Sequence, residues 1–390
     1  MLQKLPLDHW LRLATVGFIA TTGLGILTIL PLVLGELHEH YDFSKELIGW
    51  FAAINITGIA FGGLITALVI HRVGMVRLIQ IGLLGLMGCE IASMFLLDSP
   101  YLLVLRLVAG MFAGVAYASS LTSFTVLKTP VKGYSIYVLV YCLLSAIIFP
   151  FMPSVLHNFG LQAGFVFLVG MTILALLVSP SLAVFQRKSH DFHLPPLQLS
   201  ALVRNPTILL VLLAYYALQL SGGVLWAYIE LIGEAKMLSE HFIANTLSIG
   251  NVIVIPFALV IYWFNDKGGL ALPIFGGLGI FAVSLLAIYF TSSPWGYAIG
   301  TVFYMGIWAF IMAFYQSIQA QHDPQGKVIA LGAFINMLGQ ATGPALAAMF
   351  LGNQPYVNIV GLALVGLTVS FAGIFSSVLA LERKVVPELK

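Results

Sequence analysis

The sequence predicts an all-α polytopic membrane protein, with twelve transmembrane helices in two pseudo-symmetric six-helix bundles. Three observations predict it: a composition that leaves no charged face for water, twelve apolar runs of spanning length, and a repeat displaced by half the chain. Of the 390 residues 60% are hydrophobic and 8% charged, with a mean hydropathy of +1.02. A soluble domain is about 25% charged, so this surface needs lipid as a second solvent. The net charge of +2 gives no reason to expect a nucleic-acid partner. Cys89 and Cys142 both lie inside apolar runs, which implies neither a disulfide framework nor a thiolate metal site.

A helix needs about 20 apolar residues to cross the hydrocarbon core. In chain order such runs fall at 12–35, 44–70, 76–97, 100–125, 133–156 and 163–185, then at 207–232, 241–264, 269–290, 295–319, 327–350 and 356–381. Lys4 and Arg12 ahead of the first run resemble the start of a secretory signal. That run continues for about two dozen residues without a small-residue cleavage site and reads as a span. Barrel strands would be about half as long and would alternate in polarity.

Lysine and arginine set the orientation. Lys4, Arg12, Arg72, Arg77, Lys128, Lys132, Arg187, Lys188, Arg204, Lys267, Lys327, Arg383, Lys384 and Lys390 fall on the side that carries both termini. Only Lys45 and Lys236 fall opposite, and Arg106 lies within a span. Both termini are therefore expected in the cytoplasm. The polar stretch 186–206, with Arg187, Lys188, His190, Asp191, His193 and the pair Pro195–Pro196, divides the spans six and six. It reads as a cytoplasmic linker between an N-terminal bundle, 1–185, and a C-terminal bundle, 207–390.

The halves are related by a displacement of about half the chain. His71-Arg72-Val73-Gly74 follows the second span and Asp266-Lys267-Gly268-Gly269 follows the eighth, a displacement of 266 − 71 = 195. Ser44-Lys45-Glu46-Leu47-Ile48 recurs as Ser239-Glu240-His241-Phe242-Ile243 at the same displacement. Pro100 and Pro294, before spans four and ten, and Pro150 and Pro344, within spans five and eleven, are each 194 apart (294 − 100 and 344 − 150). Two parallel halves of this kind are the architecture of carriers that hold their substrate near the midplane and rock one half against the other.

The same residues resemble the major facilitator superfamily over essentially the whole chain. Arg72, Gly74 and Arg77 fit the family's loop signature between spans two and three, although His71 stands where the signature has an acid and Ala67 where it has a leading glycine. The second copy keeps Asp266, Lys267 and Gly269. Arg106, Gly110 and Gly114 match the span-four signature intact. The Gly-Pro motif that antiporter members carry in span five is missing there and stands in span eleven as Gly339-Gln340-Ala341-Thr342-Gly343-Pro344. Tyr315 and Gln316, running on to Asp323-Pro324-Gln325-Gly326-Lys327, resemble a bacterial drug- or sugar-efflux-like subgroup. The resemblance implies a secondary transporter of the bacterial inner membrane working by alternating access, with a cavity lined by spans one, four, seven and ten. It implies gating by Arg72, Gly74, Asp266, Lys267 and Gly269.

Candidate working residues follow from what hydrocarbon penalises. A cation at the bilayer centre costs about 2.5–3.5 kcal/mol on insertion scales, so Arg106 should face protein or a water-filled cavity. Glu90 and Arg106 each lie eight residues from the turn at Asp98, hence at one depth on antiparallel helices, which fits a structural ion pair as well as a functional one. Span seven carries Tyr215, Gln219, Gly222, Trp226 and Glu230 on one helical face, span ten carries Tyr304, Trp308, Tyr315 and Gln319, and span four carries Arg106, Gly110, Ala113 and Tyr117. The expected substrate contacts are Arg106, Tyr117, Tyr215, Gln219, Trp226, Tyr304, Trp308 and Tyr315, although aromatic stripes also serve as packing or interfacial anchors. Glu90 and Glu230 are the proton-coupling candidates, because a buried carboxylate can titrate. Gly343 and Pro344 form a candidate hinge, since proline removes a helix hydrogen bond. The outer segment 36–42 offers imidazole and carboxylate groups, yet short polar loops are common and no metal is expected.

The leading expectation is a monomeric carrier, in contact with lipid, for a small and partly apolar organic solute, exporting it against protons as an antiporter and needing no cofactor. Import or uniport of a metabolite or iron chelate is the alternative within carriers, because a fold does not fix direction. A transport-inactive membrane sensor of the same fold is the alternative from another class. An enzyme is not expected, for no nucleophile–base or metal-ligand constellation lies at intramembrane depth.

Overall fold

The computed structural model describes residues 6–97, 99, 101–127, 130–185, 205–265, 270–322, 327–352 and 355–385. Among these the chain is helical throughout, and it divides into two compact units, Met1–Pro195 and Pro196–Lys390. In the first unit α1 (Trp10–Gly23), α2 (Gly25–Thr28) and α3 (Leu30–His40) together make the first span. They are followed by α4 (Lys45–Val73), α5 (Met75–Phe95), α6 (Leu102–Thr122), α7 (Pro130–Phe159) and α8 (Leu161–Val178). The second unit holds α9 (Pro206–Ala235), α10 (Glu240–Asn265), α11 (Ala271–Phe290), α12 (Pro294–His322), α13 (Lys327–Phe350) and α14 (Pro355–Val385).

Nine of these helices are long and apolar enough to cross a membrane by length and composition alone, counting described residues. The first span, α10 and α13 complete the two six-helix bundles. The first span is interrupted at Leu24 and Ile29, whose ψ angles of 17° and 11° leave the helical region. Glycines 23 and 25 flank the first break and Pro31 follows the second, which removes side-chain support and one backbone donor. Its pseudo-symmetric counterpart α9 runs unbroken for 30 residues. In α13 the apolar run is diluted by Asn336, Gln340 and Thr342.

The repeat is visible at the level of single hydrogen bonds. Ser44 Oγ accepts from Leu47 N–H at the start of α4 (3.2 Å), and Ser239 Oγ accepts from Phe242 N–H at the start of α10 (3.3 Å). Both donor and acceptor are displaced by 195 residues, and both serines are side-chain caps for amides that would otherwise be orphaned. Ser99 and Ser293 likewise accept from the amides of Tyr101 and Trp295. The same helix pairs meet in each unit: α4 with α6 and α10 with α12, α5 with α6 and α11 with α12, α1 with α7 and α9 with α13.

Glycine sets the tightest contacts. Gly58 and Gly62 of α4 face Gly110 and Gly114 of α6, and a Cβ on Gly58 or Gly62 would lie 2.9 Å from the opposing glycine Cα. Lipid-solvated helices have little hydrophobic drive to associate, so backbone approach of this kind supplies packing that side chains cannot. The span-four glycines thus admit a close helix approach, and their partners are a second pair of the same spacing on α4. In the second unit Gly223 of α9 abuts Gln340 of α13, while Gly339 and Gly343 of α13 abut the α9 backbone at Tyr216 and Leu220. Outward positions are apolar and exposed, as at Leu68, Leu177 and Val283, as lipid contact requires.

Candidate functional site

In the first unit Arg106 is enclosed by its own bundle. Its Nη1 donates to Glu90 Oε2 and Oε1 at 3.1 and 3.3 Å, and its Nη2 donates to Ser93 Oγ at 2.5 Å and to the Cys89 carbonyl at 3.3 Å. The guanidinium lies 5.2 Å from the centre of the Phe165 ring on α8, and the Arg106 carbonyl accepts from Asn55 Nδ2 of α4 at 3.1 Å. Exposure is 0% for Arg106 and 2% for Glu90. Two charges desolvated together hold each other through these bonds. Both are used inside the helix packing of α5, α6 and α8, and the equal depth anticipated for them is realised as a direct pair.

Tyr117, on the same helix as Arg106, belongs to a different group. Its ring centre is 6.0 Å from Tyr137 of α7, which lies 6.4 Å from Tyr141. In the first span Thr21 and Thr22 of α1 turn their hydroxyls back to the carbonyls of Gly17 and Phe18, whereas Thr28 of α2, which donates to the Leu24 carbonyl at 3.3 Å, also shares a hydrogen bond with Tyr141.

In the second unit the polar residues of three helices meet. Trp308 Nε1 of α12 donates to Gln219 Oε1 of α9 at 2.7 Å. Gln219 Nε2 donates to Asn336 Oδ1 of α13 and, at 3.4 Å, to Met312 Sδ. Asn336 Oδ1 accepts a second bond from Gln340 Nε2 at 2.6 Å. Tyr304 stacks on Trp308 with 5.8 Å between ring centres and 9° between planes, and its hydroxyl donates to the Gly222 carbonyl at 2.9 Å. Tyr216 and Thr342 share a hydrogen bond of 2.7 Å beside the cluster. Gly222 makes room for the indole: a Cβ there would fall 2.5 Å from Trp308 Cε2.

The stripe predicted along span seven therefore divides. Gln219 and Gly222 join Tyr304 and Trp308. Tyr215 instead accepts from Gln316 Nε2 at 3.3 Å and lies against the Tyr315 ring, and the Tyr315 hydroxyl bonds Ser370 Oγ of α14 at 2.6 Å. Tyr215 and Tyr315 are fully buried in that packing. Trp226 is half-buried, and Glu230 is 3% exposed, next to Ile229, whose carbonyl accepts from Tyr297. Sequence reasoning missed Asn336 and Gln340 as members of this cluster. Two carboxamides one turn apart in an apolar helix were the available signal, because an unpaired amide in hydrocarbon is costly.

Of the residues expected to gate, Arg72 is exposed at the end of α4, and Gly74 joins α4 to α5 at φ 88°, a conformation that favours glycine. Asp266, Lys267 and Gly269, and the side chain of His71, lie outside the described residues, as do most of the linker and Asp98. Gly343 and Pro344 sit within a continuous α13, and Gly343 serves the close approach to α9. At the turn after α9 Lys236 Nζ donates to the carbonyls of Tyr289 and Thr291 at 2.8 Å each, capping α11. No group of three or more metal-ligating side chains occurs among the described residues.

Two units of six spans, each with the same helix pairing, define a two-bundle membrane carrier. The sequence matches the family model of the Major Facilitator Superfamily over residues 13–344, and the chain belongs to that superfamily. Its fold is similar to a crystal structure of a D-xylose-proton symporter, at 17% identity and a TM-score of 0.72, covering 92% of this chain and 96% of that one. It is also similar to the inward-open xylose transporter XylE from E. coli, at 14% identity and a TM-score of 0.72, covering 94% and 96%. The nucleoside transporter NupG gives 14% identity and a TM-score of 0.72, covering 97% and 99%. Comparison with curated proteins gives no match. The chain is thus a multi-pass membrane transporter of a small molecule and not an enzyme.

Proposed function

We propose that this protein carries a small, partly apolar and uncharged organic solute by alternating access. The observation that supports the reading is the Trp308–Gln219–Asn336–Gln340 cluster beside the Tyr304–Trp308 stack, which offers hydrogen bonds and a flat apolar surface without a net charge. Such a combination of apolar walls and a few oriented polar groups is how small-molecule sites are built. Arg106 is engaged by Glu90, so we place the pair in the scaffold of the first bundle and not in contact with the solute. Within the first unit, Tyr117 with Tyr137 and Tyr141 is a separate candidate aromatic surface in this reading.

Transport is proposed to be export coupled to proton exchange, from the bacterial inner membrane, by a monomer with cytoplasmic termini. Glu230 is the coupling carboxylate in this reading: it is buried and it shares α9 with Gln219. Purified protein in liposomes, assayed with a panel of neutral, cationic and anionic solutes with and without a pH gradient, tests the proposal. Neutral solutes should move in a gradient-dependent manner, Gln219→Ala should abolish the flux, and Glu230→Gln should leave flux that no longer responds to the gradient. Preference for a charged solute, or normal flux in Gln219→Ala, defeats it.

A further inference from the structure

The carboxamide cluster has a direction, and one side chain sets it. An indole N–H can only donate. Trp308 Nε1 therefore fixes the atom it meets on Gln219 as the oxygen, because the reverse orientation would set two donors 2.7 Å apart. Gln219 then turns its NH2 group to α13, where both hydrogens are used, one on Asn336 Oδ1 and one on Met312 Sδ. The atom of Asn336 that receives this bond must be its oxygen, and the atom of Gln340 that gives the second bond to that oxygen must be its nitrogen. One donor-only group thus fixes the orientation of three amides, whose bonds converge on Asn336 Oδ1.

The relay leaves a defined remainder. Among the described residues the Asn336 Nδ2 donor and the Gln340 Oε1 acceptor make no hydrogen bond, and neither is a buried unsatisfied atom. They stand one helical turn apart, on two half-buried side chains of α13. Asn336 Oδ1, by contrast, already accepts twice. The free pair is a donor beside an acceptor, held by residues that cannot reorient without breaking the chain of bonds back to Trp308.

We propose that this pair reads an amide edge on the carried solute: a carbonyl that accepts from Asn336 Nδ2 next to an N–H that donates to Gln340 Oε1, as in a lactam or the edge of a nucleobase. The inference rests on the carrier reading of this cluster and adds the class of group recognised. Planarity of such an edge suits the neighbouring Tyr304–Trp308 stack, and no formal charge is involved at either end.

The test uses 2-pyridone, which presents C=O and N–H side by side, against N-methyl-2-pyridone, which keeps the ring and carbonyl but lacks the donor. Binding to the full-length protein in lipid nanodiscs is read by ligand-observed NMR titration. A site that offers a fixed acceptor rejects a ligand lacking the matching donor, by about tenfold or more. The protein should show that preference for 2-pyridone. Gln340→Met, which keeps shape and removes the amide, should bind both ligands equally while its thermal unfolding midpoint stays close to that of the parent. Trp308→Phe should reduce the preference because it frees the relay to reverse. Equal binding of the two ligands to the parent, binding of neither, or a preference that survives Gln340→Met overturns the proposal. Gln219-dependent flux of other neutral solutes alongside such a result would leave the carrier reading standing, whereas absence of all flux would remove that reading as well.

Discussion

Arg106 of α6 and Glu90 of α5 close an ion pair of 3.1 Å in which neither side chain is more than 2% exposed. Nη2 is taken up by Ser93 Oγ and the Cys89 carbonyl, and the guanidinium lies against the Phe165 ring, all within the same bundle, while Nε is buried without a hydrogen-bond partner among the described residues. Removing one partner would leave the other charge buried alone. Arg106→Ala should accordingly destabilise the protein, by about 3–5 kcal/mol, while Arg106→Met combined with Glu90→Met should be close to neutral. Thermal unfolding in detergent, compared across a full double-mutant cycle, checks this. Unchanged stability in Arg106→Ala, with flux lost, would return Arg106 to the solute site.

The α4–α6 contact gives a prediction in which position alone differs. Gly110→Ala places a Cβ against the backbone of α4, 3.0 Å from the Gly58 Cα, so the helices must separate. Overpacking of this kind costs about 1–3 kcal/mol. Gly88→Ala and Gly170→Ala, where nothing lies within 4 Å of the added carbon, should be tolerated. Monodispersity after heating, followed by size-exclusion chromatography, separates the two cases. Equal behaviour of all three variants would show that the glycine contact carries little of the packing.

Gly222→Ala should displace the indole of Trp308, since the added carbon would fall 2.5 Å from its Cε2. The Trp308–Gln219 hydrogen bond then fails and the carboxamide relay loses its anchor. Expected is a loss of flux of tenfold or more with retained expression and folding, a ratio that corresponds to about 1.4 kcal/mol. Normal flux would mean that the relay is not part of the transport site.

Orientation is testable by labelling. Ser44→Cys should react with an impermeant thiol reagent added outside intact cells, and Ser189→Cys should not. Ser44 is exposed and caps α4, whereas native Cys89 and Cys142 are buried and should give little background. The reverse pattern would invert the topology.

The fold was readable from sequence because its determinants are local or periodic. The length of each apolar run answers to the thickness of hydrocarbon, and the 195-residue displacement of Ser44 and Ser239 reappears as two equivalent helix caps. The site was only partly readable. Tyr215 and Gln219 share a helical face, yet one turns to Tyr315 and Ser370 and the other to Trp308 and Asn336. A face is wide enough to meet two neighbours, and which residue meets which depends on where those neighbours stand. Gln340 stood in a run that suggested a bend, and its amide role needed Asn336 and Gln219 in view.

By itself, then, the sequence determined that this chain is a two-bundle polytopic membrane protein, since apolar length and internal repetition are properties of the chain as written. Only the tertiary structure decided that Arg106 is paired with Glu90, that Gly110 and Gly114 meet Gly58 and Gly62, and that an indole, a glutamine, an asparagine and a second glutamine form one hydrogen-bonded cluster converging on Asn336 Oδ1. The physical reason is the range of the forces. Partition into lipid acts on each segment alone, whereas a hydrogen bond acts over about 3 Å and exists only once helices distant in sequence have been set against each other at a particular rotation.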